Sequence, residues 1–128
     1  MMTESELWHM HLLAGENTFI GMENLATIIF AYLATAYFVG GKLSRFQATL
    51  ATVFFVVVAT MFSAYAFTEY RRVVYFLREL TESYGVSAMM PNDVVLPVGA
   101  IVLALLIPAC VYFMYQVRRN AKTVEPTD

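Results

Sequence analysis

A chain of 128 residues with a 59% share of hydrophobic side chains and a net charge of −2 is more apolar than soluble domains, where ~45–50% is usual. Eight basic against ten acidic residues leave no basic tract for nucleic acid and no strong field to steer a highly charged partner. The apolar excess is gathered into runs at residues 19–39, 46–67 and 94–117, which points away from a soluble enzyme and leaves too little chain for a separate soluble domain of at least ~50 residues.

Each run is long enough to cross a hydrocarbon core of ~30 Å as a helix. Nearly all the Arg, Lys, Asp and Glu lie between the runs, as they do between membrane spans. The expected fold is therefore an all-α integral membrane protein with three transmembrane helices at about 19–39, 45–67 and 94–117, forming one domain.

In chain order, the acidic start Met1-Met2-Thr3-Glu4-Ser5-Glu6 lacks the basic n-region of a secretory signal, so the first span is expected to stay in the mature protein. Neither end carries a lipidation signal, and the spans alone are expected to anchor the chain. Thr3 and Glu6 have capping-box spacing, which predicts a short interfacial helix from about Glu4 to Ala14, stopped by Gly15. Trp8 among alternating polar and apolar residues suits a position at the membrane interface. Asn17 or Thr18 would then cap the first span, and Gly40-Gly41 would end it in a tight turn.

Ser44 and Gln47 form a second capping box, which starts the second span at Arg45. The connection is so short that the first two helices are expected to pack as a tight antiparallel hairpin. Beyond Phe67, a helical stripe of Tyr70, Val73, Val74, Leu77, Leu80 and Tyr84 predicts an amphipathic extension over residues 69–84, stopped by Gly85. This extension is expected either to project from the bilayer or to lie on it. Residues 85–93 read as a loop with Met89, Met90 and Pro91, and Asn92 or Asp93 as the cap of the third span. Pro97 falls in a first helical turn, where its missing N–H costs nothing, whereas Pro108 lies mid-span and is expected to kink the helix. Arg118, Arg119 and Lys122 follow the span, where cations suit a helix C-terminus and can reach water. Lys and Arg number five on the side of the first turn and the tail, against three on the side of the second loop. That balance predicts an outside N-terminus and a cytoplasmic C-terminus.

Glu23 is the carboxyl group of the first run, with Asn24 beside it. A carboxylate at membrane depth is a candidate for ion or ligand handling, although one turn from a helix N-terminus it also suits the macrodipole. His9, His11 and Arg71 or Arg72 are its expected neighbours. His9 and His11 point to opposite sides of a helix, and two imidazoles are too few for zinc, so they are weak metal candidates and no cofactor is expected. No motif for hydrolysis or nucleotide binding is present.

Small and hydroxyl residues align along one face of each span: Asn24, Thr27, Ala31 and Thr35; Thr52, Ala59, Ser63 and Ala66; Pro97, Ala100, Ala104 and Pro108. Such faces allow close helix approach, and all three are expected to meet, with residues such as Ile28, Ile29, Leu33, Phe54 and Leu103 facing lipid. The tyrosines, Tyr32 and Tyr112 among them, read as interfacial anchors. Cys110, the lone cysteine, can form no intramolecular disulfide and reads as a small buried hydrophobe. In layout alone the chain resembles small bacterial membrane proteins, which implies a cytoplasmic membrane. The expected role is a non-enzymatic accessory, assembly or regulatory subunit that contacts the lipid bilayer and another membrane protein or a second copy of itself. The alternative is a homo-oligomeric channel or transporter component using Glu23.

Overall fold

The computed structural model describes residues 1–87 and 94–124 and is all-helical there. Three helices, α1 (Glu4–Val39), α2 (Arg45–Tyr84) and α3 (Val95–Val124), are each long and apolar enough to cross a membrane. The expected loop residues Met89, Met90 and Pro91, the expected caps Asn92 and Asp93, and residues 125–128 lie outside the described residues.

Both capping boxes form. Thr3 and Glu6 exchange hydrogen bonds between side chain and backbone at 2.7 and 3.3 Å, and Ser44 and Gln47 do so at 2.9 and 3.1 Å. Each pair satisfies amides that the first helical turn leaves without partners. Gly85 ends α2 in the left-handed conformation, φ 64°, as a glycine at a helix terminus can without strain.

Gly15, in contrast, does not stop α1, and neither Asn17 nor Thr18 caps a separate span. The helix runs unbroken for 36 residues, about 54 Å, and α2 for 40 residues, about 60 Å. Both exceed a ~30 Å hydrocarbon core by half or more. Their surplus lengths lie together. Residue pairs in contact descend along α1 as they ascend along α2: Tyr32 with Phe55 and Thr52, Gly21 with Ala66, Asn17 with Glu69, and His11 with Val73. The two helices therefore pack antiparallel over their whole length. The N-terminal segment is not a separate interfacial helix, and the apolar face of residues 69–84 is covered by α1.

The molecule consequently has two apolar cores. One lies among all three helices, from Leu25, Tyr32 and Ala36 through Phe55 and Ala59 to Cys110 and Met114. The other joins only α1 and α2, where Leu7, Phe76 and Leu80 pack with Trp8, Met10 and Val86 in a two-helix stalk. Tyr84 closes the stalk tip by donating its hydroxyl to the Met2 carbonyl at 2.8 Å.

The helix faces that meet differ from those expected on α1 and α3. Asn24, Thr27, Ala31 and Thr35 are exposed, as are Pro97, Ala100, Ala104 and Pro108. On α2, Ala59 and Ser63 are buried and Thr52 and Ala66 half-buried. Thr27 and Thr35 each donate to the carbonyl four residues earlier, at 2.9 and 2.8 Å, so their hydroxyls need no neighbouring helix. The core instead takes larger side chains. Ile28, Ile29, Leu33 and Leu103, expected to face lipid, pack against it. Tyr32 is no interfacial anchor: its ring stacks on Phe55 at 4.1 Å and its hydroxyl bonds the Thr52 hydroxyl at 2.8 Å. The α3 helix runs continuously through Pro108.

Candidate functional site

The three helices meet at the α1–α2 turn. A Cβ on Gly41 would lie 2.6 Å from that of Ala121, and one on Gly40 would clash with the Ala36 carbonyl and lie 3.1 Å from Met114 Sδ. Glycine is therefore required where the turn meets α3. Arg118 reaches across from α3 and donates from one guanidinium nitrogen to the carbonyls of Leu43 at 2.7 Å, Gly40 at 3.3 Å and Ser44 at 3.4 Å. The Gly40 and Leu43 carbonyls lie at the end of α1 and in the turn, where no helical amide follows to satisfy them, whereas the Ser44 carbonyl already accepts from the Ala48 amide at 3.0 Å; a cation there also suits the α1 macrodipole.

Toward the opposite end an apolar cleft of about 340 Å³ opens between the helices, with Gly99 of α3 facing the Phe67 ring of α2. Met22, Leu25 and Ile29 of α1, Phe67 of α2 and Gly99 and Leu103 of α3 are among the residues that line it. Thr18, one of its few polar lining residues, already donates its hydroxyl to the Ala14 carbonyl at 2.8 Å. Nothing in the lining asks for a polar ligand, so the cleft suits an apolar one.

Just above the cleft, where the stalk begins, lies a polar cluster. Glu69 is 7% exposed, although it sits in a helix whose surroundings are largely apolar. One of its oxygens accepts from Asn17 Nδ2 at 3.4 Å, and the other faces Arg72 at 3.3 Å in the sole ion pair among the described residues. One turn further, His11 Nδ1 donates to the Val73 carbonyl at 3.1 Å, because a carbonyl can only accept. Trp8 meets the His11 ring edge-on at 5.8 Å.

Glu69 is not among the candidates that the sequence singles out. Its position is nonetheless four residues before Val73, seven before Phe76 and eleven before Leu80, which is the buried stripe itself. Glu23, the expected carboxylate, is exposed on α1, as is Asn24, and Glu23 makes no ion pair among the described residues. His9 is exposed and His11 is turned toward α2, so the helix separates the two imidazoles. No group of three or more metal-ligating side chains occurs among the described residues. Cys110 is buried in the three-helix core.

No protein-family model, curated protein or solved structure matches this chain.

Proposed function

We propose that the chain crosses a lipid bilayer three times, with its stalk and N-terminus outside and its C-terminus cytoplasmic, and serves as a non-enzymatic accessory, assembly or regulatory subunit. The observation that carries this reading is the exposed strip of Asn24, Thr27, Ala31 and Thr35 on α1. Small and hydroxyl side chains permit close approach of a neighbouring helix in lipid, and the chain's own fold leaves this strip uncovered. Ala100 and Ala104 offer a similar exposed surface on α3. The strip is the natural place for a helix of another membrane protein or of a second copy.

Ala31→Leu tests this directly, because Ala31 lies outside both cores. Larger complexes in mild detergent and crosslinks in native membranes should be lost in this variant while helix content is kept. Unchanged mass and crosslinking would sink the proposal. Ala59→Leu is unsuitable as a test, since Ala59 is fully buried within the chain.

The second reading is a homo-oligomeric ion or small-solute pathway. It draws on Glu23, an exposed carboxylate about one turn inside an apolar segment, for which neighbouring copies could supply the missing surroundings. Equal liposome flux for the unmutated protein and Glu23→Gln would remove that role.

A further inference from the structure

We infer that the cleft between the three helices holds one acyl chain of an anionic membrane lipid, with the headgroup on Arg71 and Arg78. The inference rests on the chain spanning a bilayer and does not depend on its acting as a subunit.

The dimensions select the occupant. The cleft is lined from Thr18 to Ile29 on α1 and from Val95 to Leu106 on α3. At 1.5 Å per residue, each stretch is ~17 Å long, close to half of a ~30 Å hydrocarbon core and so to one leaflet. A volume of about 340 Å³ over that length leaves a mean cross-section of roughly 20 Å². A helix with side chains is ~10–12 Å across and needs on the order of 80–110 Å². The space is too narrow for a partner helix and matches an extended polymethylene chain. Its aliphatic and aromatic lining would leave water without hydrogen-bond partners, so the cleft is dry unless hydrocarbon enters.

Charge selects the headgroup. Phe67, which lines the cleft, is followed along one face of α2 by Arg71, Val74 and Arg78, at spacings of four, three and four residues. The row that borders the cleft in its apolar part therefore continues as two exposed guanidinium groups at the level where the stalk emerges. Neither makes an ion pair among the described residues, whereas Arg72, on the other side of the helix, is engaged by Glu69. Arginine offers two parallel N–H donors to a phosphate, and basic side chains beside a bilayer surface favour anionic lipids. An acyl chain in the cleft with its phosphate at the adjoining arginines satisfies both halves of the surface at once.

The test uses the full chain, delipidated in detergent, mixed with equal amounts of phosphatidylglycerol and phosphatidylcholine and read by native mass spectrometry. The expected result is retention of one lipid, with phosphatidylglycerol preferred on the order of tenfold. Arg71→Gln with Arg78→Gln should abolish the preference and leave one lipid of either kind. Ala26→Leu, which fills the cleft from α1, should remove retention, and Arg119→Gln at the far end should change nothing. Retention of both lipids alike by the unmutated chain, an unaltered preference in the double arginine variant, or undiminished retention in Ala26→Leu would each overturn the inference. Seating of a partner helix in the cleft, seen as crosslinks from Gly99 to another chain, would overturn it as well. Alkaline carbonate extraction of native membranes separates the two levels: release of the chain refutes the bilayer reading, whereas a membrane-bound chain without lipid preference refutes this inference alone.

Discussion

The two ends of this molecule solve the same packing problem with different means. At the turn end, three helices converge, glycines let backbone approach side chain, and Arg118 ties α3 to the end of α1 through carbonyls. At the other end α1 and α2 continue as a two-helix stalk with a core of its own that takes no residue from α3. On the three-span reading, the three-helix part between the turn and the stalk has hydrocarbon around it, so apolar burial supplies little drive there and close contact and hydrogen bonds must hold the helices. On the same reading the stalk reaches beyond the length that hydrocarbon can cover, and burial of Leu7, Phe76 and Leu80 from water is there the stabilising term. The same pair of helices thus changes its mode of association along its length, and the polar cluster of Asn17, Glu69 and Arg72 marks the change.

The largest expected effect tests the stalk. Leu80 is fully buried there, so Leu80→Ala should cost about 2–5 kcal/mol of local stability. Hydrogen exchange should accelerate in residues 4–17 and 70–84 and stay unchanged in the three-helix part. Acceleration throughout would mean that the two ends unfold as one unit.

Arg118→Gln probes the other end. The guanidinium is half-buried and its acceptors are partly solvated, so the loss should be smaller, about 1–2 kcal/mol. Spin labels at Lys42 and Asn120, both exposed, should report a broader distance distribution as α3 loosens from the turn, while α1–α2 distances hold. An unchanged distribution would assign the attachment of α3 to the Gly40–Met114 and Gly41–Ala121 contacts alone.

The contrast also explains what could be read from the sequence. Local chemistry was legible: Thr3 with Glu6, Ser44 with Gln47 and Gly85 each act on the few residues beside them. The continuity of α1 through Gly15 was not, because nothing lies within 4 Å of a Cβ placed there and the segment remains helical by packing Leu7 and Ala14 on α2. A glycine ends a helix only when the chain turns, and that depends on a partner about 60 residues away. The faces of α1 and α3 failed for a related reason. Thr27 and Thr35 looked like bridging groups, yet their hydroxyls are satisfied inside their own helix, and among the described residues the hydroxyl of α1 that crosses to α2 belongs to Tyr32. Glu69 was recoverable, since its spacing to Val73 and Leu80 places it on the buried stripe, but a carboxylate is expected outside until a partner such as Asn17 is known.

The smallest effect concerns the first turn of α1, where the stalk frays if it frays anywhere. Glu6 is fully exposed, and its carboxyl is held below the ordinary glutamate value first by the Thr3 amide and then by the Thr3 hydroxyl. A depressed folded-state pKa means that the charged form is the one the capped helix favours, so its contribution is complete above the unfolded-state pKa and disappears as pH falls through the lower folded value. Acidification below the ordinary glutamate range should therefore speed amide exchange at Thr3 and the residues of the first turn. Glu6→Gln can still accept from the Thr3 amide but does not titrate, so exchange there should lose its carboxylate-linked pH dependence. The second capping box is the internal comparison, because Gln47 already occupies the corresponding position. Once the intrinsic pH dependence of exchange is removed, the first turn of α2 should show no acid-dependent loosening from its cap. Matching acid profiles at the two boxes would show that titration of Glu6 does not govern the stability of the α1 terminus.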